Sequence, residues 1–248
     1  MSEPLSLRII IPAYNEALRL PVYLEQMAAA GPRLGRFSLL EVLIADNGSV
    51  DDTAVVARAT GARLGLPLRV LSCPIKGKAA ALVYAMGDPL TAQGADFLLF
   101  ADADGATPIE ALAAFEPAPA ELLVASRYEP GSRIIYLTDP PMIRRIMSAG
   151  MRHLTSWLFG LGLTDTQCGF KLLPASAAPL FASVSDRSWV FDVELLARAR
   201  RAGLILRSIP VTWTEMAGSK VSPLRDAIGS LVALLAIRLR LWRDRSSG

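Results

Sequence analysis

The chain has 248 residues, 52% hydrophobic and 20% charged, a composition that excludes disorder and suits one large domain. Basic and acidic residues nearly balance, 26 against 23, yet residues 198–248 hold 10 of the basic and only 3 of the acidic ones, so a basic tail follows a mildly acidic body. That tail lacks the interleaved aromatics of a single-strand binder, so no nucleic-acid partner is expected, and the absence of G-X-Y or solenoid periods excludes fibrous and repeat folds.

Leu7 to Ile11 is a short β-branched run closed by Pro12, which predicts a buried strand. Met1 to Pro4 lead straight into it, so no signal peptide is expected. Ala17 to Ala30 predicts a helix ended by Gly31-Pro32. Leu39 to Ala45 predicts a second strand, and the turn-rich Asp46-Asn47-Gly48-Ser49 closes it. Asp51-Asp52-Thr53 then opens a helix, its acids favoured by the dipole of the first turn. A third strand follows at Leu68 to Leu71, a helix at Lys78 to Leu90, and a fourth strand at Asp96 to Phe100. Strand and helix therefore alternate, and the reading is an α/β fold with a parallel, doubly wound sheet.

The second half is less regular. Leu122 to Ala125 predicts a strand, and Arg127 to Pro141 a Gly- and Pro-containing loop. Met142 to Gly160 predicts a helix that mixes Arg144, Arg145, Arg152 and His153 with apolar residues. Gly169 to Leu173 predicts a short strand and Val190 to Ala202 a helix. Pro210 interrupts Leu206 to Thr214, which predicts an edge strand or two short pieces. Leu224 to Trp242 predicts a last helix. No run of about 18 uncharged apolar residues exists, so no segment reads as a bilayer span. The two cysteines, Cys73 and Cys168, cannot make a disulfide framework, and a cytoplasmic location is the default.

In open α/β sheets, ligands bind outside the carboxyl ends of the strands. Three such ends carry polar clusters: Pro12-Ala13-Tyr14-Asn15-Glu16, Asp46-Asn47-Gly48-Ser49, and Asp102-Ala103-Asp104-Gly105. Asp102 and Asp104 stand one residue apart after a strand predicted to be buried. Carboxylates that close repel, and a divalent cation would relieve them; hard oxygen ligands select Mg²⁺ or Mn²⁺. A bare Asp-x-Asp also suits a solvated turn, so its placement on the rim beside two other polar strand ends carries the inference.

In this order the motifs resemble those of the family-2 GT-A glycosyltransferases: Ile11 to Glu16, Ile44 to Thr53, Lys76-Gly77-Lys78 and Ala101 to Asp104. Ala125 to Tyr128, Asp165 to Lys171, Phe191 to Glu194 and Ile209 to Lys220 are similar to the polyprenyl-phosphate branch, the dolichyl-phosphate glucose synthases first and the mannose synthases next. The resemblance covers about residues 7–220. It implies a GT-A fold and an inverting hexosyl transfer from a nucleotide sugar donor to a polyprenyl-phosphate acceptor. UDP-glucose is the expected donor and GDP-mannose the alternative.

The resemblance also implies roles. Pro12, Tyr14 and Glu16, with neighbours Ala13 and Asn15, would hold base and ribose. Ala45, Asp46, Asn47 and Gly48 would contact the base, with Lys78 near it. Asp102, Ala103 and Asp104 would frame the diphosphate, Asp104 and Asp102 holding the metal. Arg127 would face the reaction centre, and Arg144, Ser148 and Gln167 would join it around the acceptor phosphate. Lys220 would close over the donor phosphates. Two departures from the pattern stand out: Asn47 replaces the usual second acid, and Ala106 stands where the mannose synthases have Gln. An amide still accepts a hydrogen bond from uracil N3–H, without charge assistance.

A phosphate nucleophile is already ionised and needs cationic guides rather than a base. Arg127, Arg144 and Arg145 meet that need. A hydroxyl acceptor would require a base, and Asp192 or Glu194 would have to supply it; both also suit a helix start. A non-catalytic nucleotide-sugar binding module is a third reading. Residues 1–221 are expected to form the catalytic domain. Residues 222–248 are expected to form a basic amphipathic helix that is too short to span and rests on the cytoplasmic face of a membrane surface. Trp157, Leu158 and Phe159 suit either core or membrane contact, His153 an interfacial or packing position, and Cys168 a small buried one.

Overall fold

The computed structural model describes residues 3–187, 190–216 and 223–246. A strand β1 (Leu5–Ala13) lies at the centre of an eight-stranded sheet. It pairs in parallel with β3 (Phe37–Asp46) on one side and β5 (Phe97–Ala101) on the other. The short β2 (Arg33–Leu34) and the parallel β4 (Leu68–Ser72) both flank β3. Beyond β5 come β8 (Phe170–Pro174), β6 (Glu121–Ser126) and β9 (Ile205–Pro210). β8 runs antiparallel to both neighbours, while β6 and β9 are parallel.

The parity of the strands decides which core each side chain joins. On β1, Leu7, Ile9, Ile11 and Ala13 face a cluster that includes α1 (Leu20–Ala30), while Ile10 joins the cluster on the opposite face. The first face also carries α2 (Thr53–Leu64). The second face packs α3 (Lys78–Gly87), α6 (Phe191–Arg201) and the buried edge of α7 (Pro223–Ser246). In α3 the inward residues Ala79, Ala80, Ala81 and Ala85 are small, so the helix lies close to the sheet. Pro89 cannot extend it, and a one-turn α4 (Pro89–Ala92) follows.

The predicted elements appear near their expected bounds, with three differences. The helix expected from Ala17 starts at Leu20, because residues 14–19 turn back onto the loop after β3. The expected loop at 127–141 contains β7 (Arg133–Ile135). The stretch around Pro210 is two pieces: β9 at the edge of the main sheet, and β10 (Thr212–Thr214), which pairs in parallel with β7 as a separate two-stranded sheet. Pro210 has no N–H for a ladder, and the chain changes sheets just past it.

The last long helices are α5 (Met142–Phe159) and α7. On α7, Ser230, Leu234, Ile237 and Leu241 are buried, and Arg240 and Asp244 reach Glu194 and Arg198 of α6. Among the described residues no helix is long and apolar enough to cross a membrane.

Candidate active site

The carboxyl ends of β1, β3 and β5 meet on one rim of the sheet. The loops after β1 and β3 are laced together by side chains capping backbone groups. Asn15 N–H donates to Ser49 Oγ at 3.0 Å and Val50 N–H to Asn15 Oδ1 at 2.9 Å. Glu16 N–H donates to Thr53 Oγ1 at 2.8 Å, and Asn47 N–H to the Ala13 carbonyl at 2.8 Å. Asn15 takes a left-handed φ of 54°, a conformation that Asn tolerates better than most residues. Tyr14 is half exposed on this rim, while Pro12, Ala13, Ala45 and Asp46 are buried beneath it and Gly48 is exposed. Asn47 Oδ1 accepts from Gly77 N–H at 3.0 Å, which ties the β3 loop to the start of α3. That bond uses one lone pair of the amide oxygen and leaves the second for a ligand.

Lys78, the first residue of α3, places Nζ 2.6 Å from Asp102 Oδ1. Asp102 N–H donates to the Gly169 carbonyl, and its carboxylate lies against Gly169: a Cβ there would overlap Asp102 Oδ2. Asp104 Oδ1 caps the Ala106 N–H at 3.0 Å. Ala103 between the two acids is buried, and Gly105 turns at φ +66° with a Cβ position only 2.8 Å from the Tyr23 ring. Burial and the neighbouring Asp102 charge raise the Asp104 carboxyl above its ordinary value, against opposition from Arg19 and Lys78. An acid pair pressed this way is a fitting donor set for a hard divalent ion. Among the described residues there is no cluster of three or more acidic, His or Cys ligands, so substrate oxygens and water would complete the sphere.

A second site adjoins this rim. Arg127, just past β6, makes a two-pronged pair with Asp165: Nε to Oδ2 at 2.7 Å and Nη2 to Oδ1 at 3.1 Å. Burial alone would raise Asp165, but the Arg127 charge and hydrogen bonds outweigh it and hold that carboxyl below its usual range. Arg127 also lies over Trp213 and Tyr128, and Arg152 stacks on Tyr128 with Cζ 3.5 Å from the ring centroid. These residues line a cavity of about 330 Å³ together with Ile134, Tyr136, Arg145 and Ser148. The 165–169 turn joins the two sites, with Asp165 on Arg127 at one end and Gly169 on Asp102 at the other.

Of the expected acceptor residues, Arg127 and Ser148 line the cavity. Gln167 stands exposed on the Asp165 turn and is not among the lining residues. Arg144 lies in the first turn of α5 and its side chain is outside the described residues, as is all of Lys220. Arg145, Ser148 and Arg152 follow at three and four residues, so one helical face presents all three to the cavity. That spacing was the available signal for Arg152. Arg19, which pairs with Glu16 and feels both Asp102 and Asp104, was not singled out; nothing in its sequence context marks it.

Asp192 and Glu194 are engaged elsewhere. Lys171 Nζ lies 2.6 Å from Asp192 Oδ1, and both are buried. Glu194 is fully buried and accepts from Ser185, Asp186 and Arg198. His153 and Trp157 are exposed on α5, and Cys168 is buried, with its thiol pushed up to about 11 by burial.

The profile of glycosyl transferase family 2 matches residues 8–133, which span all three strand ends. The chain belongs to that family. Among relatives of this family-2 chain, dolichyl-phosphate β-glucosyltransferase of Drosophila melanogaster is 38% identical, covering 90% of this chain and 71% of that protein. The Homo sapiens protein of the same name is 32% identical, with 96% and 77% covered. Solved structures share the fold at lower identity. Mannosyl-3-phosphoglycerate synthase from Rubrobacter xylanophilus superposes with a TM-score of 0.68 at 18% identity, over 98% of this chain and 75% of that one. Glucosyl-3-phosphoglycerate synthase from Mycobacterium tuberculosis, crystallised with Mn²⁺ and UDP-glucose, gives 0.63 at 17% identity, over 94% and 79%. The GT-A fold and the glycosyltransferase assignment expected from the motifs therefore hold.

Proposed function

We propose that this glycosyltransferase moves glucose from UDP-glucose to the phosphate of a dolichyl or other polyprenyl phosphate, with inversion at the anomeric carbon. The observation that carries the acceptor is the cavity beside the Asp102 rim. Arg145 and Arg152 line it without a carboxylate partner among the described residues, whereas Arg127 is matched by Asp165. Two uncompensated guanidinium groups favour an anion, and Trp213, Tyr128 and Ile134 offer an apolar wall for the chain attached to it. The names of the relatives support glucosyl transfer to dolichyl phosphate.

In this reading the residues divide the work. Tyr14, Glu16, Asp46 and Asn47 seat uracil and ribose on the laced loops, and Lys78 with Arg19 meets the diphosphate. Asp104 and Asp102 would hold Mg²⁺ or Mn²⁺, which when bound neutralises the leaving diphosphate. Arg127, fixed by Asp165 and stacked on Trp213, holds the acceptor phosphate in line with the anomeric carbon. No general base is needed, because the nucleophile carries its charge already.

The hydroxyl-acceptor reading requires a free carboxylate. Asp192 and Glu194 are both buried in ion pairs, which disfavours it.

The acceptor is a lipid, so we infer that the protein works on a membrane surface, at its cytoplasmic face. α7 supports this. Ile228, Leu231, Val232, Leu235, Leu239 and Trp242 form an exposed apolar stripe opposite its buried edge, and exposed Arg238 and Arg243 flank that stripe. On α5, Ile143, Ile146 and Trp157 are also exposed. Residues 222–248 are thus read as the membrane-facing extension of a catalytic domain at 1–221.

The deciding experiment offers radiolabelled UDP-glucose or GDP-mannose with polyprenyl phosphate or the phosphate-free polyprenol, and extracts product into organic solvent. Glucose should enter the organic phase only with UDP-glucose and the phosphorylated acceptor. Equal transfer to the free alcohol, or preference for GDP-mannose, would overturn the assignment.

A further inference from the structure

We propose that Lys78 is an internal competitor of the divalent cation at Asp102, so that metal and nucleotide diphosphate bind cooperatively through this lysine. The inference rests on the donor-site reading above and goes beyond it.

Lys78 Nζ sits 2.6 Å from Asp102 Oδ1. A Mg²⁺ or Mn²⁺ ion held by that oxygen would have its centre less than about 5 Å from the ammonium, given metal–oxygen distances near 2.1 Å. Two cations that close repel. On one side Asp102 is blocked, because its carboxylate packs on Gly169, where even a methyl group would not fit without displacing it.

Lys78 has somewhere else to go. As the first residue of α3 its stem is anchored, while its side chain is only partly buried. Asp192 also lies within electrostatic reach of the Lys78 ammonium. Both Lys78 and Lys171 sit about 5 Å from the Phe100 ring, at 5.1 and 5.3 Å from its centroid. A diphosphate arriving at the start of α3 offers the ammonium a better partner than one carboxylate oxygen. The lysine then moves to the phosphates, and Asp102 is released to the metal.

The test measures Mn²⁺ binding, not turnover. Free Mn²⁺ is followed by electron paramagnetic resonance during titration of the full chain, with and without UDP. The parent should bind Mn²⁺ alone weakly and bind it much more tightly with UDP. Lys78→Met and Lys78→Gln should each bind Mn²⁺ alone about tenfold more tightly than the parent, a coupling within the range usual for linked sites. UDP should then add less than it does in the parent. If both neutral variants bind Mn²⁺ alone no tighter than the parent, the competition is refuted while the metal site stands. If no form binds Mn²⁺ even with UDP, the reading of Asp102 and Asp104 as metal ligands falls, and the competition with it.

Discussion

Lys171 Nζ and Asp192 Oδ1 are 2.6 Å apart, and neither side chain is more than 4% exposed. Lys171 occupies a position on β8 whose parity points into the same core as Leu173 and Leu98, where a hydrophobic residue would ordinarily stand. Its ammonium also donates to the Cys168 carbonyl, so the pair fixes the turn that carries Gly169 against Asp102. Asp192→Leu should therefore strand a buried charge and cost about 3–5 kcal/mol of stability. The double variant Lys171→Met with Asp192→Leu should recover much of that loss in urea unfolding. Additive losses would show that the two residues do not act as a pair.

Gly169 gives a test of carboxylate placement that leaves every charge in place. Gly169→Ala would put a methyl group into the space of the Asp102 carboxylate. Displacing that group by about an ångström should lower kcat about 100-fold. The protein should remain folded by circular dichroism. Full activity in Gly169→Ala would mean that the position of Asp102 is not critical.

The Arg127–Asp165 pair predicts an acid dependence with a definite sign. Asp165 has a lower pKa in the folded chain than its unfolded value of about 3.9. Its contribution is complete above that unfolded value and is lost as pH falls through the depressed folded one. Asp165→Asn should be less stable than the parent at pH 7, by roughly 3 kcal/mol for a pair this buried. The two should converge as pH falls below about 4 and through the depressed folded value. Urea midpoints across that range decide it; parallel curves would remove Asp165 from the account.

Much of this was written in the sequence. The alternation of apolar runs and helices located the strands of the parallel half; β1, β3 and β5 are largely buried and therefore apolar, while the half-buried β4 was marked by a short apolar run. The three polar strand ends, Asn15, Asp46 and Asp102, were legible for the same reason: polar residues after such runs have no place in the core. What stayed hidden depends on contacts distant in sequence. The antiparallel insertion of β8 between β5 and β6 leaves no local mark. Nor does β7, which is three residues long and exists only because β10 lies beside it. Arg152 looked like any helical arginine until Tyr128, 24 residues earlier, came to lie under it. Asp192 and Glu194 look like free acids at a helix start, and only the fold reveals Lys171 and Arg198 against them.

The exposed stripe of α7 predicts surface binding that is separable from chemistry. Leu235 and Trp242 are exposed and contribute nothing to either site. Replacing both with Glu should weaken cosedimentation with anionic vesicles severalfold, since it removes apolar insertion and opposes the surface charge. Transfer to a short, water-soluble prenyl phosphate should be unchanged. Undiminished vesicle binding would exclude this face of the helix as the contact.

The cavity arginines separate a phosphate acceptor from a hydroxyl acceptor. Arg152 is held on the Tyr128 ring rather than by an acid, so its hydrogen-bonding edge is available to a ligand. Arg145 lies two turns earlier on the same face of α5. Losing one charge-assisted contact to a phosphate costs about 1.5–3 kcal/mol. Arg152→Ala should thus raise the acceptor KM by roughly 10- to 100-fold. UDP affinity should be nearly unchanged, because the donor rim lies on the other side of the 165–169 turn. Arg152→Lys keeps the charge but loses the planar stack, and should fall between the two. If Arg152→Ala leaves the acceptor KM untouched, the guanidinium-lined cavity is not the acceptor site.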